Sequence, residues 1–147
     1  MIRQETLSHR LILPSDANHY GTLYAGSLLR ISLEAAYATA FRWVGTDAKL
    51  VLRRVLSVEC IRPVPLGTVV EIRGRVLQLH RAYMVVGLLG TPFDNKPVPW
   101  MDGLMGFVHI DGDGQATPFS DDLVFDSAHG EDWEELNLRL EMLARLR

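Results

Sequence analysis

The sequence predicts an α+β domain, an antiparallel sheet wrapped around one long central helix, with a further helix at the C-terminal end. Three observations carry this. Residues 26–43 are rich in Ala and Leu, contain no proline and are apolar on almost every side. Four β-rich segments then follow between 49 and 110 with only turns between them, so the strand–helix alternation of a parallel sheet is missing. Residues 131–147 are amphipathic, with Trp133, Leu136, Leu140 and Leu143 on one side.

The elements read in order. Residues 7–13 place Leu7, Leu11 and Leu13 on one strand face and predict an edge strand ended by Pro14. Residues 15–26 are rich in turn formers and read as a loop. Ser27 is placed to cap the helix over 26–43, and Gly45 lies just past its end. Arg30 and Glu34 inside it, and its length, exclude a membrane span. Strands follow at 49–61, 68–79, 82–90 and 100–110, separated by the Arg62–Gly67 turn, a short turn at 80–81 and a proline-rich loop at 91–99. Asp111-Gly-Asp113-Gly114 resembles the start of a calcium loop but lacks its bidentate Glu, so it reads as a turn. Acids open the last helix, and Arg145 and Arg147 close it, as the helix dipole favours. A single sheet covers only one side of the central helix. The uncovered side and the open sheet edge predict pairing with a second copy.

Composition bounds the function. The chain has 147 residues, the length of one domain, with 48% hydrophobic and 22% charged residues. We expect a domain over 1–120 carrying an acidic linker and terminal helix over 121–147. A single cysteine, Cys60, excludes an intrachain disulfide and a cysteine-based zinc cluster. With no apolar leader at the start, this predicts a cytoplasmic protein. The net charge of −3 excludes a broadly basic nucleic-acid binder. That charge is uneven: residues 121–147 hold eight acids against three arginines, leaving the body at +2. The body either receives an anionic ligand or is simply an unevenly charged surface. There is no nucleophile elbow, phosphate loop, dinucleotide fingerprint or zinc-helix motif. The histidines at 9, 19, 80, 109 and 129 have no metal spacing and read as surface or packed residues.

Three segments carry a resemblance. The first is 14–36, with Asp16-Ala-Asn18, Gly21-Thr22, Tyr24-Ala25-Gly26 and Glu34-Ala35-Ala36. The second is Glu59-Cys-Ile-Arg62-Pro63-Val64-Pro-Leu-Gly67, and the third is Phe107-Val-His-Ile-Asp111-Gly-Asp-Gly114. Over about 7–118 the chain resembles the hot-dog-fold acyl-CoA thioesterases, in particular the cytosolic acyl-CoA hydrolase group. The resemblance implies a hot-dog fold and hydrolysis of acyl-CoA. It also implies a homodimer, alone or within a tetramer or hexamer, with no metal or resident cofactor, coenzyme A entering only as part of the substrate.

The residues it singles out have their own chemistry. A helix start offers free backbone N–H groups to a developing oxyanion, and Ala25-Gly26 either let a thioester approach that backbone or merely permit a tight helix start. Thioester hydrolysis also needs a carboxylate base or nucleophile. The resembled family carries it seven residues after the second small residue, where this chain has Leu33; Glu34 matches the second acid of the family's pair. Catalytic candidates are therefore Asn18 and Glu34, with an Arg30–Glu34 ion pair as the plainer reading of the latter. Substrate-binding candidates are His19, Tyr24, Ala25, Gly26, Arg81, Ala82 and Tyr83. Ala82 and Tyr83 stand where the family carries hydroxyls. Arg53, Arg54, Arg62 and Arg81 are candidates for the coenzyme phosphates. The leading expectation is a thioesterase with a divergent site. The alternative is a non-catalytic acyl or acyl-CoA binding protein on the same scaffold. A dehydratase on this fold finds no histidine within 24–44.

Overall fold

The computed structural model describes residues 4–45 and 47–145. Strand β1 (Glu5–Leu11) leads through a single 3₁₀ turn (Pro14–Asp16) to helix α1 (Ala25–Val44). Strands β2 (Leu50–Cys60), β3 (Val69–Leu79), β4 (Tyr83–Gly90) and β5 (Met101–His109) follow, and a 3₁₀ turn (Glu131–Trp133) opens helix α2 (Glu134–Arg145). The sheet is antiparallel throughout in the order β1-β3-β4-β5-β2, so β1 and β2 are its edges. Arg147 lies outside the described residues.

The sheet curls around α1. Register slips between Leu52 and Arg54, Val55 and Ser57, and Val76 and Gln78 add local twist and bend the strands. Leu28, Ile31, Ala36, Ala40 and Trp43 of α1 face this concave side and meet Val70, Ile72, Val76, Met84, Met105 and Phe107. Gly74 is what lets the helix approach β3, because a Cβ there would occupy the space of the Thr39 hydroxyl. Thr39 in turn bonds to Thr6 of β1 and to the Ala35 carbonyl.

Three expectations change. Pro14 opens the 3₁₀ turn rather than ending the strand, which stops at Leu11. The cap of α1 is Tyr24, with no side-chain bond to the helix, and Ser27 is buried within the first turn. Leu7 and Leu11 do share a strand face, but it is the solvent-facing one. Thr6 is directed at α1 instead, so a hydroxyl pair and not a leucine seals this edge. Gly45 ends α1 as expected, at φ +115°.

The chain beyond β5 straps the molecule. Asp111 Oδ1 accepts from the Asp113 and Gln115 amides, making a tight turn. Phe119 N bonds to Arg81 O, and Phe125 packs edge-on against Trp43 at the end of α1. Gln4 then ties the strap down, its amide N donating to the Asp126 and Val76 carbonyls and its oxygen accepting from Asp126 N. Arg75 donates to the Ala128 carbonyl. The strap so delivers α2 to the convex face, where Trp133, Leu136 and Leu140 bury against Leu77, Val85 and Leu104. Each such side chain contributes roughly 1.5–3 kcal/mol on burial. No described helix is long and apolar enough to cross a membrane.

Candidate active site at the start of α1

The loop before α1 is built on two polar side chains. Asp16 is almost completely enclosed, and its carboxylate accepts from the Leu13 amide at 3.0 Å and from Arg30 Nη2 at 3.0 Å, with Arg10 at 3.7 Å. The Leu13 amide, and then Arg10 and Arg30, outweigh burial and hold this carboxyl below its ordinary 3.8. Asn18 governs the next bend. Its Oδ1 accepts from the Tyr20 and Thr22 amides at 2.9 and 3.2 Å, and its Nδ2 donates to Thr22 Oγ1 at 3.1 Å. An amide nitrogen carries two hydrogens, so one of them is left for a ligand.

This loop delivers the chain to α1 with its first turn open. Ala25 and Gly26 are exposed, and no side chain caps the helix. The Tyr24 ring lies across Gly26, and a Cβ there would sit 2.6 Å from Tyr24 Cε2. The exposed His19 and Tyr20 rings touch at a tilt of 39°, 3.9 Å between ring centres. Free N–H groups, one amide hydrogen and two aromatic walls thus converge on one end of the molecule. Such a helix start favours developing negative charge on a carbonyl oxygen.

Glu34 follows Gly26 by eight residues of α1, about 12 Å along the axis and about 80° around it. It is exposed and accepts from Arg10 at 3.4 Å and Arg30 at 3.5 Å. Arg10, Arg30 and Asp16 therefore form with it a four-membered charge network. The sequence offered the Arg30–Glu34 spacing; Arg10, a strand residue distant in sequence, and the burial of Asp16 gave no signal. Leu33 packs against the core.

Arg81, Ala82 and Tyr83 are not part of this cluster within one chain. Leu23 N bonds to Val64 O and Leu66 N to Gly21 O, which fixes the start of α1 at the β2–β3 turn. Arg81 and Ala82 sit in the β3–β4 hairpin at the opposite end of the eleven-residue β3, roughly 30 Å away at 3.3 Å per residue. Tyr83 also faces away, packing with α2 on the convex side, while the next residue, Met84, faces α1. Among the arginines, Arg62 is committed inside the protein: both arms bond to Asp94 and its plane covers Phe93 at 4.6 Å.

Comparison with known proteins bears on the family and the fold. The model of the thioesterase superfamily matches residues 20–95, from the loop beside Asn18 through α1 and on past β4. A search of curated proteins finds no match. Among solved structures, an apo-hexameric acyl-CoA thioesterase superposes with a TM-score of 0.79 at 24% identity, over 97% of this chain and 90% of its own. An acyl-CoA hydrolase from Bacillus cereus superposes at 0.80 with 18% identity, over 99% and 87%. One from Staphylococcus aureus, solved with butyryl coenzyme A and coenzyme A, superposes at 0.76 with 21% identity, over 98% and 87%. The five-stranded antiparallel sheet curled around α1 is the hot-dog fold. On the family match over more than half its length and on this architecture, the chain belongs to the thioesterase superfamily.

Proposed function

We propose that the protein hydrolyses acyl-CoA thioesters at a site shared between two copies of the chain. The observation that carries this is the uncapped start of α1 beside Asn18, in a chain of the thioesterase superfamily. A water adds to the thioester carbonyl carbon, and the oxyanion that forms is met by the first N–H groups of α1. Collapse breaks the carbon–sulfur bond. The proton lost by the water ends on the coenzyme thiolate, and the products are a free acid and coenzyme A. Asn18 uses its remaining amide hydrogen to orient the thioester or the water, and the His19 and Tyr24 rings flank the approach.

The second copy supplies what one chain lacks. Leu29, Tyr37, Val51 and Val55 are exposed along α1 and the open edge β2. Two-fold pairing of β2 edges continues the sheet antiparallel, which sets the ends of the two sheets in opposite directions. The Arg81–Ala82 hairpin of one copy then approaches the α1 start of the other, and Glu34 of the partner subunit becomes the carboxylate nearest to it. Arg10 and Arg30 hold that carboxylate in place. Three such dimers would make a hexamer, the state of one similar thioesterase.

A specific observation favours a second reading, a protein that binds acyl-CoA without turnover. The Staphylococcus aureus hydrolase has been solved with its asparagine and its aspartate separately replaced, the two lying fifteen residues apart. Fifteen residues beyond Asn18 stands Leu33. Release of coenzyme A from acyl-CoA substrates of two to sixteen carbons, with calorimetric binding in parallel, separates the readings. Turnover that falls at least 100-fold in Glu34→Gln and Asn18→Ala supports hydrolysis. Saturable binding with no turnover leaves only the second reading.

A further inference from the structure

Strand β2 is an open edge of the sheet, and its pairing with β5 fixes which way its side chains point. Opposite residues of an antiparallel pair share a face. Ser57 stands opposite Leu104, which packs beneath α2, so Ser57 points to the convex side. Glu59 opposite Asp102 and Arg54 opposite Gly106 lie two residues along β5 to either side of Leu104, so they share that face. Val55 stands opposite Met105 and Val58 opposite Gly103, and Met105 and Val58 belong to the core around α1, so both valines point to the concave side. Leu56 is the extra residue of the bulge between Val55 and Ser57, and it packs against the convex cluster.

From Arg54 to Glu59 the faces therefore run convex, concave, convex, convex, concave, convex. Over the whole segment this order reads the same in both directions about one point, midway between Leu56 and Ser57. A copy laid antiparallel along the edge must match convex to convex, so the two-fold axis falls at that point. A slip of one residue would set Arg54 across from Val58, on opposite faces. The matched register sets Arg54 across from the partner subunit's Glu59, and Val55 across from the partner subunit's Val58, each twice by symmetry. Within one chain Arg54 and Glu59 stand roughly 16 Å apart along the strand, at 3.3 Å per residue, and cannot meet. Among the described residues neither takes part in an ion pair, whereas Arg10, Arg30, Arg62, Arg73, Arg75 and Arg139 all do. Opposite charges directly across a ladder favour pairing and like charges oppose it. We propose that β2 receives a second copy of this chain in this one register, held by two Arg54–Glu59 ion pairs on the convex side and two Val55–Val58 contacts on the concave side. This rests on the pairing of β2 edges in the reading above, and adds the register and the charges that select it.

Analytical ultracentrifugation of the full-length protein, diluted through its dissociation range, tests it with no measure of hydrolysis. Arg54→Glu and Glu59→Arg each set two like-charged pairs across the axis, and each is expected to weaken the dimer about tenfold or more. Mixed in equal amounts, the two variants form a hybrid in which both contacts again join opposite charges, and the hybrid should regain the parent's affinity. Glu59→Gln supplies a second readout, because Glu59 is exposed and has no ion-pair partner in its own chain to lose. Its dimer should respond to added salt less than the parent's does. Single variants that dimerise like the parent, or a mixture as weak as either variant alone, overturn the register. An equal response of parent and Glu59→Gln to salt does the same. A parent that stays monomeric at every concentration overturns the shared site of the proposed reaction as well. A dimeric parent with insensitive variants overturns the register alone.

Discussion

Arg139 of α2 closes on Asp102 of β5 with two parallel hydrogen bonds of 2.8 and 3.0 Å, and the same guanidinium reaches Ser57 of β2 at 3.0 Å. One side chain thus ties the terminal helix to two strands of the convex face. Asp102 is nearly enclosed, so removing its partner strands a buried carboxylate. Arg139→Met is expected to cost about 3 kcal/mol, the low end for breaking a buried pair, because Arg139 itself keeps some solvent contact. Urea unfolding checks the cost, and amide exchange over 134–145 should quicken with it. A loss under about 0.5 kcal/mol, the scale of an exposed pair, would show that α2 is held by Trp133, Leu136 and Leu140 alone.

The buried Asp16 makes the loop before α1 sensitive to acid. Its folded pKa lies below 3.8, so its contribution to stability is complete above that value and is lost as pH falls through the folded pKa. Asp16→Asn is expected to be less stable than the parent at pH 7 by roughly 2 kcal/mol, the scale of a hydrogen bond to a charged group. The variant's stability should change less than the parent's between pH 5 and pH 3. Parallel unfolding curves at those values check both, and identical acid slopes would rule out Asp16 as the source.

Asp94 reports on the loop over 91–99. Arg62 holds its carboxyl at about 2, helped by the Lys96 amide. A carbon-detected titration of Asp94 should therefore have its midpoint near 2, and in Arg62→Gln it should move up toward the ordinary 3.8. An unmoved midpoint would mean that the Arg62–Asp94 contact is not held in solution.

Gly74 sets how closely α1 lies on the sheet. Gly74→Ala pushes a methyl into the Thr39 hydroxyl and is expected to destabilise by about 1–3 kcal/mol, as overpacking does. Gly74→Ala combined with Thr39→Ala should recover part of that loss. If the double variant is no better than the sum of the singles, the clash is not between these two side chains.

Much of the fold was legible in the sequence because its signals are local. The apolar density of 26–43, the alternation of Val70, Ile72 and Val76 against charged neighbours, and the Trp133-Leu136-Leu140 stripe each report on one element. The face each element covers was less legible. Nothing near Trp133 states that its helix lies on the convex side, since the strap through Gln4, Phe125 and Ala128 decides that. Leu7 and Leu11 misled because an edge strand can seal its core side with a hydroxyl pair, Thr6 and Thr39. At the site, Asn18, Tyr24 and Gly26 come together because they are close in sequence. The Arg10–Asp16–Arg30–Glu34 network and the separation of Arg81 and Ala82 depend on tertiary packing, and the orientation of Tyr83 depends on strand phase.

A site shared between copies has a direct signature. Two variants, Asn18→Ala and Glu34→Gln, each disable both sites of a two-fold dimer, but a hybrid dimer of the two retains one site with both residues intact. Unfolding and refolding an equal mixture should return acyl-CoA hydrolysis to roughly a quarter of the parent rate, since half the dimers are hybrids with one working site. Activity in the mixture no greater than in either variant alone, with hybrid dimers present, would contradict a site built from Asn18 of one chain and Glu34 of the other.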